Sequence, residues 1–318
     1  MHYLMRRIVV SLLLVITTVS VLIPFATQVA TIHADSPAPV GACATTGIDG
    51  ALSGDCLAEI QGHPMPDLVH PAAPEDKKYG YSHPRGVLFP DATMPYEFGW
   101  VLKDWFYSDT PGTTPKIIGK DRSLKKASMH YVYATVKIKA MEWHLIGPNQ
   151  WIAGENFAVL HVPKRPDGVS GRWITLDLAR QTLIAMQDDK PVFGTLISAG
   201  YDGYGFTHEG LYHIYARTRF TTFRGPPWKA VPDYVLNHVP DVMFFDHHVA
   251  LHGAYWHDWF GFPRSHGCVN IPVGDEAWLW DWVSEALNHP DESKFFLDDP
   301  NTAPYVYVYK SGTAYNQG

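Results

Sequence analysis

The chain has 318 residues, 46% of them hydrophobic, and 25 Lys and Arg against 32 Asp and Glu for a formal net charge of −7. That length makes room for about two domains, and the hydrophobic share supplies an ordinary core. A mildly acidic chain with no basic block has no electrostatic footprint for nucleic acid. Aromatic residues reach 14%, with 11 Trp, which fits aromatic-rich β-structure better than a ring-stacking surface.

Residues Met1 to Arg7 are short and basic, and Ile8 to Ile23 are almost continuously apolar before Pro24. The run is long for a signal h-region and short for a spanning helix. Residues 1–34 are therefore expected to be a signal peptide, cleaved after Ala30 or Ala34, with a retained membrane anchor as the alternative. No later stretch is apolar enough to cross a membrane. The expected location is outside the cytoplasm: extracellular, cell wall or periplasm.

Residues 35–79 are rich in Pro, Ala, Gly and Asp, a linker composition with little to pack. Cys43 and Cys56 lie there, close enough to bridge. A disulfide closing so short a loop contributes about 3 kcal/mol in the chain-entropy model. Pairing them leaves Cys268 odd among three cysteines, so it is either a reactive thiol or an intermolecular link.

Residues 80–165 read as short strands. "FGWVLKDWFYSDTPG" is strand material ending in a turn, and "YVYATVKIKA" alternates with period two. "WHLIGPNQWIA" places two apolar runs around Gly147, Pro148 and Asn149, a hairpin pattern with Trp143 and Trp151 expected across it. After a break at "PKRPDGVSG", residues 172–310 begin with a meander in which Ile174, Leu176 and Leu178 share a face, with turns at "ARQ" and "DDK". "GLYHIYARTRF" and "VMFFDHHVALHG" add β-runs, and "YVYVYK" alternates like a closing strand. "PVGDEAWLWDWVSEAL" reads as a helix capped by Asp275, with Trp278, Trp282 and Ala286 on one core-facing side. The fold class is mainly β, with one or two helices.

Acyl transfer by a thiol needs a thiolate, a base to generate it, and donors for the developing oxyanion. A free thiol titrates near pH ~8.5, so a neighbouring imidazole raises its reactive fraction. His266 lies two residues before Cys268 and His252 sixteen before it; chemistry alone does not choose between them. Gly267 permits a tight turn, and the amides of Gly267 and Cys268 are candidates for the oxyanion site. The set His247, His248, His252, His257, His266 and Cys268 is dense, and His248 and His252 would share a strand face. It lacks the paired spacing of a zinc site, so no metal is expected, and His247, His248 and His257 are read as surface or packing residues.

The ordered series His252, Ser265, His266, Gly267, Cys268, Val269 and Asn270 resembles the signature of the L,D-transpeptidases of the YkuD type. The likeness extends through "WITLDLARQTLIAM" and the helix after the motif. It implies a β-rich catalytic domain over 172–310, and the β-segment at 80–165 is similar to bacterial SH3-like barrels. By that resemblance Cys268 is the nucleophile and His252 the proton donor and acceptor. Gly253 would orient the imidazole through its carbonyl, His266 and Asn270 would shape the loop beside Ser265 and Gly267, and Arg264 would brace it or meet a substrate carboxylate. "THEGLYHI" departs from the family pattern in carrying His208 where Pro is common.

The reaction so implied is formation of 3→3 cross-links between peptidoglycan stem peptides through a Cys268 thioester, with no cofactor. The partners are donor and acceptor stems; there is no nucleic acid, and membrane contact comes only through an uncleaved N-terminal segment. Water as acceptor gives an L,D-carboxypeptidase. A cysteine endopeptidase on wall peptides and a non-catalytic wall-binding protein are the competing readings.

Overall fold

Residues 43, 52–71, 85–89, 94–116, 121–201, 205–225, 234–287, 294–297 and 299–312 are described by the computed structural model. The apolar run at 8–23, and with it the expected signal peptide, lies outside them. Among the described residues no helix is long and apolar enough to cross a membrane.

The segment expected to pack little carries helix α1, Gly54–Gly62. Ser53 caps it by accepting from the Cys56 N–H, which satisfies one of the free amides of the first turn. Cys56 and Ile60 are buried, and Cys56 is joined to Cys43 in the expected disulfide. The tie and the buried face stabilise a stretch whose composition alone would not hold a helix. Strand β1, Val87–Leu88, follows.

Eight short strands come next: β2, Phe98–Val101; β3, Trp105–Phe106; β4, Ser123–Leu124; β5, Met129–Tyr131; β6, Ala134–Ile138; β7, Met141–Gly147; β8, Gln150–Ala153; and β9, Phe157–Leu160. They form two three-stranded sheets, β5-β2-β9 and β6-β7-β8, and the pair β3-β4. The hairpin at Gly147–Asn149 forms as expected, with Asn149 at φ 53°. Trp143 and Trp151 are not cross-strand partners, however: Trp143 faces Ala153 and Trp151 faces Leu145. Trp151 and its partner Leu145 are both fully buried in the same core cluster.

The remaining strands are β10, Arg172–Asp177; β11, Thr182–Gln187; β12, Lys190–Leu196; β13, Gly210–His213; β14, Ala216–Arg224; β15, Val235–Asp246; β16, Val249–Gly253; β17, Val269–Ile271; then helix α2, Val273–Leu287; β18, Lys294–Phe296; and β19, Tyr305–Tyr309. One sheet has the order β1-β12-β11-β10-β19-β13, the other β17-β16-β15-β14-β18. The predicted meander at 172–196 and the closing strand both form, and β19 lies parallel to β10. Apolar residues of both sheets pack with α2 around Ile174, Leu251, Val269 and Trp280.

Asp275 does not cap its own helix. It sits inside the first turn of α2, fully buried, and one carboxylate oxygen accepts from the N–H groups of Arg85 and Gly86, each at 2.9 Å, and from the Thr195 hydroxyl at 2.7 Å. It thereby pins the start of β1 rather than the start of α2. The helix also buries more than the expected Trp278 and Trp282 stripe. Trp280, on another face, is fully buried beneath the Arg217 guanidinium at 4.8 Å.

One core runs across the break at 164–171. Trp173, Ile184 and Leu196 share one apolar cluster with Phe98, Trp100, Tyr131 and Trp151, and residues 33–318 form one unit.

Glu276, next to Asp275, is also fully buried, and neither of its carboxylate oxygens has a partner among the described residues. Desolvation raises its pKa well above the usual value, and the nearby Asp241 and Asp275 push the same way. A carboxyl raised in the folded state contributes stability below its unfolded pKa and loses it as pH rises through the folded pKa. Glu276→Leu is therefore expected to raise Tm, by an amount that is larger at pH 8 than at pH 4 and corresponds to about 1–4 kcal/mol. A scan showing no gain at pH 8 would contradict this.

Candidate active site

Strand β16 runs parallel to β17 with Leu251 opposite Val269, His252 opposite Asn270 and Gly253 opposite Ile271. Side chains alternate along strands, so His252 and Asn270 project from one face of this pair. Cys268, one residue before Val269, approaches the same face beside Ala250. It packs against the small cluster of Val239, Val242 and Ala250, as do Phe223 and Trp256. Those two rings also flank His252, with centroids at 5.0 Å and 5.6 Å. The buried imidazole and the half-buried thiol thus both lie beside the Phe223 and Trp256 rings.

His252 Nδ1 lies 3.3 Å from the Gly253 carbonyl. That contact places the ring proton on Nδ1 and leaves the Nε2 lone pair available. Burial lowers the His252 pKa to about 4, opposed by the Gly253 bond. Burial also pushes the Cys268 thiol up to about 11, opposed by the Ala250 N–H. At neutral pH the resting pair is a neutral thiol and a neutral imidazole. The thiol donates to the His248 carbonyl at 3.5 Å.

The loop before Cys268 is held from several sides. The Ser265 hydroxyl donates to the Cys268 carbonyl and accepts from the Gly267 N–H, the latter at 3.0 Å. Thr207 Oγ1 donates to the Gly267 carbonyl at 2.7 Å and accepts from the Gly200 N–H at 3.0 Å. The N–H groups of Arg264 and Ser265 donate to the Ala199 carbonyl at 3.0 and 3.1 Å. Gly267 has φ 123°, a backbone conformation that favours glycine, and this turn sends the His266 ring toward Tyr234, 5.1 Å between centroids.

All eight predicted residues fall within this one region, on β16, β17 or the loop between them. Two expectations change. The Gly267 amide, predicted as an oxyanion donor, is engaged by Ser265. His248, expected to share a strand face with His252, lies in the turn before β16 and offers its carbonyl to Cys268. Arg264 stacks its guanidinium over the Trp259 ring at 4.9 Å. His208 pairs with Asp246 at 3.2 Å. Among the described residues, no group of three or more His, Cys, Asp or Glu is arranged to hold a metal ion.

Sequence reading missed His257 and Thr207. His257 Nδ1 accepts from the Trp259 N–H at 3.2 Å, and its Nε2 lies 2.8 Å from the Asn270 side-chain amide. It is a member of the site's hydrogen-bond network, not a surface histidine. Burial and the Arg264 charge lower its pKa to about 4. Nothing in "YWHDWF" marks it, because its partner is thirteen residues on.

Residues 171–297 match the model of the YkuD family, described as the L,D-transpeptidase catalytic domain. The solved structures similar to the chain include an L,D-transpeptidase from Stackebrandtia nassauensis, with 23% identity, TM-score 0.33, and coverage of 47% of this chain and 60% of that one. The catalytic domain of the E. faecium L,D-transpeptidase, solved by NMR, has 22% identity and TM-score 0.35, with 45% of this chain and 99% of that one covered. Mycobacterium tuberculosis L,D-transpeptidase 1 has 16% identity and TM-score 0.32, with coverage of 44% and 62%. No curated protein matches the chain. The YkuD match contains His252, Cys268 and Asn270.

Proposed function

We propose that this protein is an exported L,D-transpeptidase that joins peptidoglycan stem peptides through a thioester on Cys268. The observation that carries this reading is a buried imidazole with its Nδ1 proton fixed on the Gly253 carbonyl, on the same strand-pair face as the one free cysteine among the described residues, within the segment that matches the YkuD family.

In the first step the Cys268 thiol gives its proton to His252 Nε2 as the sulfur attacks the carbonyl of the third stem residue. The tetrahedral adduct collapses, the C–N bond to the terminal D-Ala breaks, and the leaving amine takes the proton back from His252. In the second step the side-chain amine of another stem's third residue attacks the thioester. It loses a proton to His252, and the expelled thiolate recovers that proton. The product is a 3→3 cross-link and a restored thiol. Because both partners rest neutral, no ion pair has to be stabilised in the apolar pocket before substrate arrives.

Ser265, Gly267 and Thr207 fix the carbonyl side of the loop, and with the Gly267 amide occupied the Cys268 amide is the remaining nearby oxyanion donor. Gly253 orients the base. Arg264, stacked on Trp259, would brace the loop or meet a stem carboxylate, His266 would shape the rim, and Asn270 would align β17 beside the base. We assign β2–β9 as an SH3-like module and residues 1–34 as the export signal. Both assignments rest on the sequence pattern, and the Cys43–Cys56 disulfide is consistent with an oxidising compartment.

The test is mass spectrometry of muropeptides after incubation with tetrapeptide stems. Cross-linked dimers are expected. Tripeptides alone would assign the same site to hydrolysis, and unchanged stems would overturn the proposal.

A further inference from the structure

The segment between His252 and Cys268 is not a free loop. Ala254 and Phe260 are buried in the apolar cluster that contains Trp100, Leu102 and Tyr131, and Trp256 and Phe262 pack against it. Gly261, at φ 91°, lies so close to Leu102 that a Cβ there would meet its Cδ2 at 2.3 Å. The same segment is gripped electrostatically. The Arg85 guanidinium reaches both Asp258 carboxylate oxygens at 2.9 Å, and Lys126 Nζ donates to the Asp258 carboxylate at 2.8 Å and to its carbonyl at 2.6 Å. Arg85 is 7% exposed and Asp258 30%, so this pair is better shielded than an ordinary surface bridge. Arg85 is itself anchored, since its carbonyl accepts from Trp100 Nε1 at 3.0 Å and its N–H donates to Asp275.

We propose that Asp258, clamped by Arg85 and Lys126, is a positioning residue through which the N-terminal β-module sets the geometry of the catalytic strand pair. The path is short and continuous. Asp258 is the neighbour of His257, whose Nε2 lies 2.8 Å from the Asn270 side-chain amide nitrogen. Asn270 lies in register with His252, two residues after Cys268. Moving Asp258 therefore moves the contact that aligns β17 beside the base. A loop placed by hydrophobic contact alone slides more easily than one also held by a two-cation clamp on a single carboxylate. On this account the β-module is part of the catalytic apparatus and not a detachable spacer.

The test uses the full chain and two readouts. The first is the rate at which iodoacetamide alkylates Cys268, which needs no substrate and stands whether or not the acyl-transfer reading holds. The second rests on that reading: kcat and KM for stem-peptide turnover. Asp258→Ala is expected to slow alkylation and lower kcat about tenfold with KM little changed, while Asp258→Glu, which keeps a carboxylate for both cations, recovers most of the rate. Arg165→Gln removes a comparable pair with Asp188 and Asp189, at 3.1 and 3.0 Å, and should leave both readouts unaltered. Alkylation of Asp258→Ala at the parent rate would overturn the proposal. Should that variant not fold, Lys126→Met, which keeps Arg85 on the carboxylate, is expected to give a smaller slowing, and a parent-like rate there would overturn it equally. Normal alkylation changes with no turnover of stems by any form would leave the clamp standing and sink the transpeptidase assignment.

Discussion

Replacing Cys268 by Ala is expected to abolish the mass increase that a carbapenem β-lactam leaves on the parent protein, and to end turnover of stem peptides. The thiol is the one free sulfhydryl among the described residues, so no second cysteine there can substitute. Losing a nucleophile that forms the covalent intermediate removes the reaction path rather than slowing it. The fold should hardly notice. The sulfur is half-buried and packs at the margin of a small cluster, so Tm should fall by no more than corresponds to about 1 kcal/mol. An adduct retained by Cys268→Ala would remove this residue from the mechanism.

His252→Gln should lower the acylation rate by about 10²–10⁴, the usual range for a positioned acid–base group. Glutamine can reach the Gly253 carbonyl with its amide but cannot accept the thiol proton. The same variant should change stability against pH with a definite sign. A histidine held near pKa 4 by burial stays neutral in the fold while the unfolded chain takes up a proton near pH ~6.5. The unfolded state then binds more protons in that window, and stability falls as pH drops from about 6.5 to about 4. The contribution of this one ring is on the order of 3 kcal/mol. The Gln variant should therefore lose less stability than its parent across that interval, compared by thermal melts at pH 7 and pH 4.5. Parallel curves would show that His252 is not buried neutral.

Both of these residues were legible in the sequence, because an ordered motif fixes identity and spacing together. The strands at 172–196 and 305–309 were legible for the same kind of reason, short apolar runs with period-two patterning bounded by turns, although β10 and β11 are buried on both faces. What could not be read was pairing at long range. His257 looks like any polar residue in an aromatic loop until β17 brings Asn270 to it. Asp275 looks like a helix cap until β1 arrives from 190 residues earlier. Helix α1 was hidden because its stability comes from a disulfide and one buried face, neither of which alters local composition. The Gly267 amide was misjudged because its partner, the Ser265 hydroxyl, required the turn geometry to be known.

The parallel pairing of β19 with β10 carries a consequence for how the molecule is made. Residues 305–309 do not trim an edge; they lie between β10 and β13, inside a sheet whose other members all lie between residues 87 and 213. A ribosome therefore delivers five strands of that sheet long before the one that bridges them. Until it arrives β10 has an open edge and β13 has no partner in the sheet, and the sheet remains two unjoined pieces. Contacts of such separation make folding slow. A chain stopped just before Tyr305 would carry His252 and Cys268 intact on a scaffold that cannot close around them.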